Sequence, residues 1–198
     1  MGILSPRRIA DENRALFQRR ERFRIAAEHV ARALAQVPAV CRVVPFGSAA
    51  RPLTKEVPRF REFRRAGIEL WHECHDVDLA VWIHELDCLR RLQRARSRAL
   101  NDLMSRESIR VAHHQVEIFV LEPGSDRYLG RLCCFGRCPN GKPDCAVPGC
   151  GATRFLQQHS GFTLDRKSLE PDRSVLLHDR DAPRARGGSS DQISIEVR

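Results

Sequence analysis

Long hydrophobic runs are missing from this sequence of 198 residues. No stretch approaches the roughly 20 consecutive apolar residues that a bilayer-spanning helix needs, so we expect no integral membrane protein. The N-terminus lacks the apolar core of a secretory signal, which predicts a cytoplasmic protein whose eight cysteines are mostly reduced. Aromatic residues make up only 6% of the chain and are too scattered to form a base-stacking array.

Lysine is also scarce, because 31 of the 34 basic residues are arginine. The net charge of +9 comes entirely from residues 1–65, which hold 15 basic and 6 acidic side chains, whereas residues 66–198 hold 19 of each. This basic segment would attract a polyanion such as a nucleic acid or a nucleotide phosphate. The alternative is an arginine-rich helix that is simply solvated.

The spacing of apolar residues predicts an α+β fold, with a small mixed β-sheet and flanking helices. Apolar residues three and four apart predict helices, and short β-rich or alternating runs predict strands. The predicted helices are 8–36 and 85–108, and the predicted strands are 41–46, 76–83 and 113–121.

Three acidic residues stand in otherwise apolar strand segments. Asp76 and Asp78 alternate with Val77, so they project from the same face of their strand, and Glu117 lies in the third strand. If the two strands are neighbours, the three carboxylates converge and repel one another unless a cation lies between them. Oxygen ligands of this kind favour Mg²⁺ or Mn²⁺. The alternative is a set of solvated carboxylates at strand ends.

A glycine-serine turn, Gly47-Ser48, ends the first predicted strand. Glycine allows the backbone to approach a phosphate closely, and amides at the start of a following helix bind phosphate oxygens. Arg51 would add a charge-assisted contact to the same phosphates.

In order and strand context these segments resemble the nucleotidyltransferase superfamily typified by DNA polymerase beta and the minimal nucleotidyltransferases. The resemblance covers residues 40–121 and implies that Gly47 and Ser48 form the nucleotide-binding turn. It also implies that Asp76 and Asp78 hold metal ions, and that Glu117 is the third carboxylate and the general base. The sequence departs from the family in the long connection between Ser48 and Asp76, so residues 53–72 would be an insertion.

Five cysteines occur between residues 133 and 151, interleaved with glycine and proline. The segment has too little apolar side-chain mass to pack by itself, and four thiolates can enclose a tetrahedral Zn²⁺. The predicted ligands are Cys134, Cys138, Cys145 and Cys150, with Cys133 as an alternate first ligand. Reduced structural cysteines, or disulfides in an oxidising compartment, are the alternatives.

The predicted organisation has four parts: an N-terminal helical segment (1–38), a nucleotidyltransferase-like core (39–130), a zinc-binding appendage (131–164) and a polar, flexible tail (165–198). The resemblance implies an enzyme that transfers a nucleoside monophosphate from a nucleoside triphosphate, with ATP as the expected donor, to an unidentified hydroxyl acceptor. A nucleic acid is one acceptor that the charge permits, and a protein partner is another possible interaction. Two alternatives remain: a catalytically inactive binding or antitoxin-like protein with the same fold, and a zinc-containing nucleic-acid-binding protein.

Overall fold

The structure is a computed structural model, and it describes residues 5–50, 61–65, 74–135, 153–157 and 163–180. Helices and strands in these ranges follow the order α1 (Pro6–Ala35), β1 (Val40–Phe46), α2 (Gly47–Ala50), α3 (Arg61–Arg65), β2 (Val77–Ile83), α4 (Leu89–Glu107), β3 (Val116–Leu121), β4 (Tyr128–Leu132), β5 (Leu156–Gln157) and β6 (His178–Asp179). None of the helices in the described ranges has the length and apolar character needed to span a bilayer.

The strands form one mixed sheet in the order β5-β4-β3-β2-β1-β6. β2 and β3 are parallel, and each other neighbouring pair is antiparallel. The parallel pair requires a long crossover, which α4 provides between the end of β2 and the start of β3. The fold is therefore α+β with a mixed sheet and flanking helices, as the sequence predicts.

One face of the sheet is covered by α1 and α4. Leu34 of α1 and Leu103 of α4 are both fully buried, and they belong to one apolar cluster with Leu79 of β2. Alternate residues of each strand face this cluster, because successive side chains of a strand point to opposite sides. Burial of these side chains is the main source of stability for the sheet and both helices.

The opposite face carries a smaller apolar cluster and the polar residues of interest. Trp82, Phe119 and Phe46 belong to this cluster, and Leu164 from the segment after β5 packs on it. Phe46 and Phe119 meet edge to face, with ring centroids 5.2 Å apart. This face is the one to which Asp78 and Glu117 belong, because they alternate with the buried residues of the helical side.

Strands β4, β5 and β6 extend the sheet beyond the three strands that the sequence predicts most clearly. β4 and β5 pair with each other, so the chain returns to the sheet on both sides of the cysteine-rich segment. β6 pairs with β1 and lies within the predicted polar tail, so residues 178 and 179 are part of the sheet. Their backbone pairing with β1 holds them there, although their composition carries little apolar signal.

Candidate active site

The Gly47–Ser48 turn follows β1 directly and lies against β2. Phe46, the last residue of β1, is the cross-strand partner of Asp78. Gly47 has a φ of 71°, and a Cβ atom built on it would lie only 2.8 Å from Asp78 Oδ2. Glycine is therefore required here both for the left-handed backbone and for the close approach to the carboxylate.

Asp78 lies between the turn and Glu117. It is the second residue of β2, and its Cα is in register with that of Glu117 on the parallel strand β3. Burial raises the pKa of Asp78 to about 7, and the negative charges of Asp76 and Glu117 contribute to the same shift. The pKa of Asp78 is thus well above that of an ordinary aspartate.

Asp76 lies immediately before β2 and is half-buried. Burial raises the pKa of Asp76, and the charge of Glu117 raises it further. The three carboxylates that the sequence analysis singled out therefore interact electrostatically at one end of the sheet. Ser48 follows Gly47 in α2, whereas Arg51 and most of the 53–72 insertion lie outside the described residues.

Glu117 has a partner that the sequence analysis missed. Both of its carboxylate oxygens lie 2.6 Å from Nη1 of Arg131, on β4. Arg131 is in register with Phe119, two residues along β3 from Glu117, so the guanidinium reaches along the same face. The signal for this hairpin was present in the sequence, because Pro123-Gly124-Ser125-Asp126 is a typical turn between two apolar runs.

Two further residues position the site without belonging to its acidic group. Gln115 Nε2 donates a hydrogen bond to the carbonyl of His75 at 3.2 Å, which ties the segment before Asp76 to the start of β3. Arg96 of α4 is almost fully buried and donates to the carbonyls of Val116 and Cys133, each at 3.3 Å. It anchors the residue that precedes Glu117.

Cys74 and the basic helix α1 form the other boundary of the site. Cys74 Sγ donates to the carbonyl of Ser48 at 3.4 Å. Burial raises the pKa of the Cys74 thiol, and the positive charges of Arg20 and Arg19 oppose that shift. Arg19 and Arg20, near the middle of α1, therefore lie on the side of the site where Cys74 meets the glycine-serine turn.

Within the part of the chain that the structure describes, no group of three or more His, Cys, Asp or Glu side chains is arranged to hold a metal ion. Glu117 is engaged by Arg131, which leaves Asp76 and Asp78 as the donor pair. These are oxygen ligands whose mutual repulsion a divalent cation would relieve. The aspartate pair fits Mg²⁺ or Mn²⁺, with the other coordination positions left to substrate oxygens or water.

Only the first part of the predicted zinc site lies within the described residues. Cys133 is buried and its Sγ accepts a hydrogen bond from Gln157 Nε2 at 3.8 Å, whereas Cys134 is exposed. Cys138, Cys145 and Cys150 lie outside the described residues.

No protein-family model, curated protein or solved structure matches the chain. The geometry and electrostatics of the site are therefore the basis for inferring its function.

Proposed function

We propose that the protein is a metal-dependent nucleotidyltransferase, which transfers a nucleoside monophosphate from a nucleoside triphosphate to a hydroxyl acceptor. One observation carries the proposal: Asp78 and Glu117 are in register on parallel strands, and the Gly47 turn lies against the carboxylate of Asp78. A raised pKa at buried, mutually repelling carboxylates is typical of sites that bind cations or perform proton chemistry.

Each residue of the site has a role in this reaction. Asp76 and Asp78 hold Mg²⁺ or Mn²⁺, which supplies charge neutralisation for the phosphates and the reacting oxygens. Gly47 lets the backbone approach the triphosphate, and Ser48 binds its oxygens. Glu117 accepts the proton of the acceptor hydroxyl as that oxygen attacks the α-phosphorus; the bond from the α-phosphorus to the bridging oxygen breaks, and pyrophosphate leaves.

The donor that we propose is ATP or another nucleoside triphosphate. The arginines of α1 near the Gly47–Ser48 turn favour a polyanionic acceptor, such as a nucleic acid, over a neutral small molecule. We also propose that the cysteine-rich segment holds a structural Zn²⁺ ion. In support, the backbone N–H of Cys133 donates to the carbonyl of Phe155 at 2.8 Å, so both ends of the segment are held together on the sheet.

The pairing of Glu117 with Arg131 favours a second candidate, a nucleotide-binding protein without turnover. In this case the guanidinium permanently neutralises the third carboxylate, and the fold binds a nucleotide or a protein partner only. The third alternative, a zinc-containing nucleic-acid binder, predicts salt-sensitive RNA or DNA binding that does not depend on Asp78.

The decisive experiment measures labelled-nucleotide incorporation and pyrophosphate release with Mg²⁺ or Mn²⁺, against RNA, protein and small-molecule acceptors. We expect turnover by the wild type and a loss of at least about 100-fold in Asp78→Ala, because the metal ligand is gone. Asp102→Asn, at an exposed carboxylate of α4, is the matched control and should retain full activity.

Turnover that survives in Asp78→Ala would contradict the site assignment. Calorimetric binding of ATP with Mg²⁺ separates the two candidates: binding that requires Asp78, without product from any acceptor, favours the non-catalytic protein. The absence of Asp78-dependent binding would reject both.

A further inference from the structure

The ion pair between Glu117 and Arg131 is built into the acidic site rather than set apart from it. Both partners are about three-quarters buried, with side-chain exposures of 26% and 27%. Nη1 lies 2.6 Å from each carboxylate oxygen, which is the geometry of a strong charge-assisted contact. The pair therefore engages both oxygens of Glu117 and neutralises the charge with which Glu117 would otherwise bind a cation or accept a proton.

The charge of Arg131 also acts on the two aspartates. It lowers the pKa of Asp76 and that of Asp78, opposing the effect of burial on each. Without a cation, Arg131 thus offsets part of the repulsion among three negative groups. A bound divalent cation would perform the same task, so the guanidinium and the cation compete for one group of carboxylates.

A triphosphate changes this balance, because it brings several negative charges to the same face. Arginine can bind phosphate oxygens through two N–H groups, as it can bind a carboxylate. A triphosphate carries more negative charge than a single carboxylate. A guanidinium that is held by Glu117 in the free protein therefore gains a competing partner when nucleotide arrives.

We propose that Arg131 is an exchange residue, which holds Glu117 in the free protein and moves to the triphosphate when the nucleotide binds. The exchange releases the Glu117 carboxylate for the cation or for the acceptor proton. This inference rests on the proposed function and adds an order to it: the Glu117 carboxylate becomes available to the site only once a polyphosphate has drawn Arg131 away.

The consequence is a measurable coupling between Arg131 and Glu117. If Arg131 acts by occupying Glu117, then Arg131→Gln tightens the binding of Mn²⁺ alone by at least about 5-fold, a typical size for coupled sites. In a Glu117→Gln background the same change tightens Mn²⁺ binding by less than about half that factor, because only the charge of Arg131 on Asp76 and Asp78 is then removed and no carboxylate is released. A merely through-space effect of the arginine charge would give the same factor in both backgrounds.

The affinity for inorganic tripolyphosphate, measured without metal, should change in the opposite direction to the affinity for Mn²⁺. Arg131→Gln weakens its binding by at least about 5-fold, since the guanidinium that would take the phosphate is missing. Arg131→Lys keeps a positive charge without the bidentate fork, so it shifts both affinities in the same directions by smaller factors. A purely structural defect would weaken both ligands together.

Arg127→Gln is the matched control, because Arg127 pairs with Glu122 at 2.9 Å on the same hairpin but at an exposed position. It should leave both affinities unchanged. Mn²⁺ binding by calorimetry or by electron paramagnetic resonance, on the full chain and with thermal melts to verify folding, provides the measurement. If Arg131→Gln does not fold, Arg131→Lys carries the test.

The outcomes separate this inference from the proposed function. Suppose that Mn²⁺ binding depends on Asp78, but Arg131→Gln has no effect on it or has the same effect with and without Glu117. This result overturns the exchange and is compatible with the proposed function. The same conclusion follows if Arg131→Gln does not change the affinity for tripolyphosphate. If Asp78-dependent Mn²⁺ binding is absent from every variant, the proposed function fails and the exchange fails with it.

Discussion

Asp78 lies with its carboxylate against Gly47, between Phe46 and Glu117 of the neighbouring strands. Burial and two nearby negative charges raise its pKa to about 7, so the ionised form is disfavoured in the folded protein. A group that is placed for cation binding in this way destabilises the fold when the cation is removed. The cost has a definite pH dependence.

In chelator, we expect Asp78→Asn to be more stable than the wild type at pH 8 and nearly equal to it at pH 4. The pKa of Asp78 is about 7 in the folded protein against an ordinary 3.8, so the wild type loses stability as the pH rises from about 4 to about 7. The full difference is on the order of 2–4 kcal/mol. Urea unfolding at pH 4, 6 and 8 measures this difference in stability, and Asp102→Asn is the control. A difference that does not change with pH would contradict the raised pKa of Asp78.

At the scale of elements, the β1–α2 turn and β2 form a unit around the Asp78 carboxylate. Gly47 and Gly124 both have positive φ, at 71° and 78°. A Cβ at Gly47 would meet Asp78 Oδ2 at 2.8 Å, whereas a Cβ at Gly124 would meet no atom within 4 Å. A comparison of the two glycines therefore distinguishes the effect of backbone strain, which both share, from the effect of the close contact with Asp78, which only Gly47 has.

Gly124→Ala should lose roughly 1–2 kcal/mol of stability, because alanine is strained in the left-handed region. Gly47→Ala should lose this and more, since its methyl group also displaces either the turn or the Asp78 carboxylate. It should also weaken Mn²⁺ binding, while Gly124→Ala should not. Urea unfolding and Mn²⁺ titration test both statements, and equal behaviour of the two variants would show that the contact is unimportant.

At the scale of the whole molecule, the cysteine-rich segment connects β4 to β5, and both of its ends are anchored on the sheet. Arg96 reaches from α4 to the carbonyl of Cys133, so this anchor also touches the strand that carries Glu117. A metal ion in the segment would therefore stabilise one edge of the sheet as well as the segment itself.

Protein purified without chelator should contain about one equivalent of zinc per chain, and Cys138→Ser and Cys145→Ser should each lose it. Cys88→Ala is the control, because Cys88 donates to the carbonyl of Glu85, and burial raises its pKa to about 11, which keeps it a thiol. Elemental analysis provides the measurement. A zinc content below about half an equivalent in the wild type would count against the proposed site.

Local pattern was sufficient to predict the central elements of the fold. The predicted strand 76–83 and the predicted helix 8–36 correspond to β2 and α1, because period-two and period-3.6 spacing are properties of the chain itself. The same pattern singled out Asp76, Asp78 and Glu117, since acidic residues are conspicuous in apolar strands. It did not find β6, which is two residues long and too short to show a period.

The amino-acid sequence by itself determined that α1 and α4 are helical, that β1, β2 and β3 are extended, and which carboxylates stand in apolar strands. Tertiary structure alone decided that β2 and β3 are parallel neighbours with Asp78 beside Glu117, and that Arg131 reaches Glu117 from β4. Strand register depends on the packing of α1 and α4 across a whole face of the sheet, so it is a property of distant residues acting together. The spacing of residues along a single strand fixes which face each side chain takes, but not which strand lies beside it.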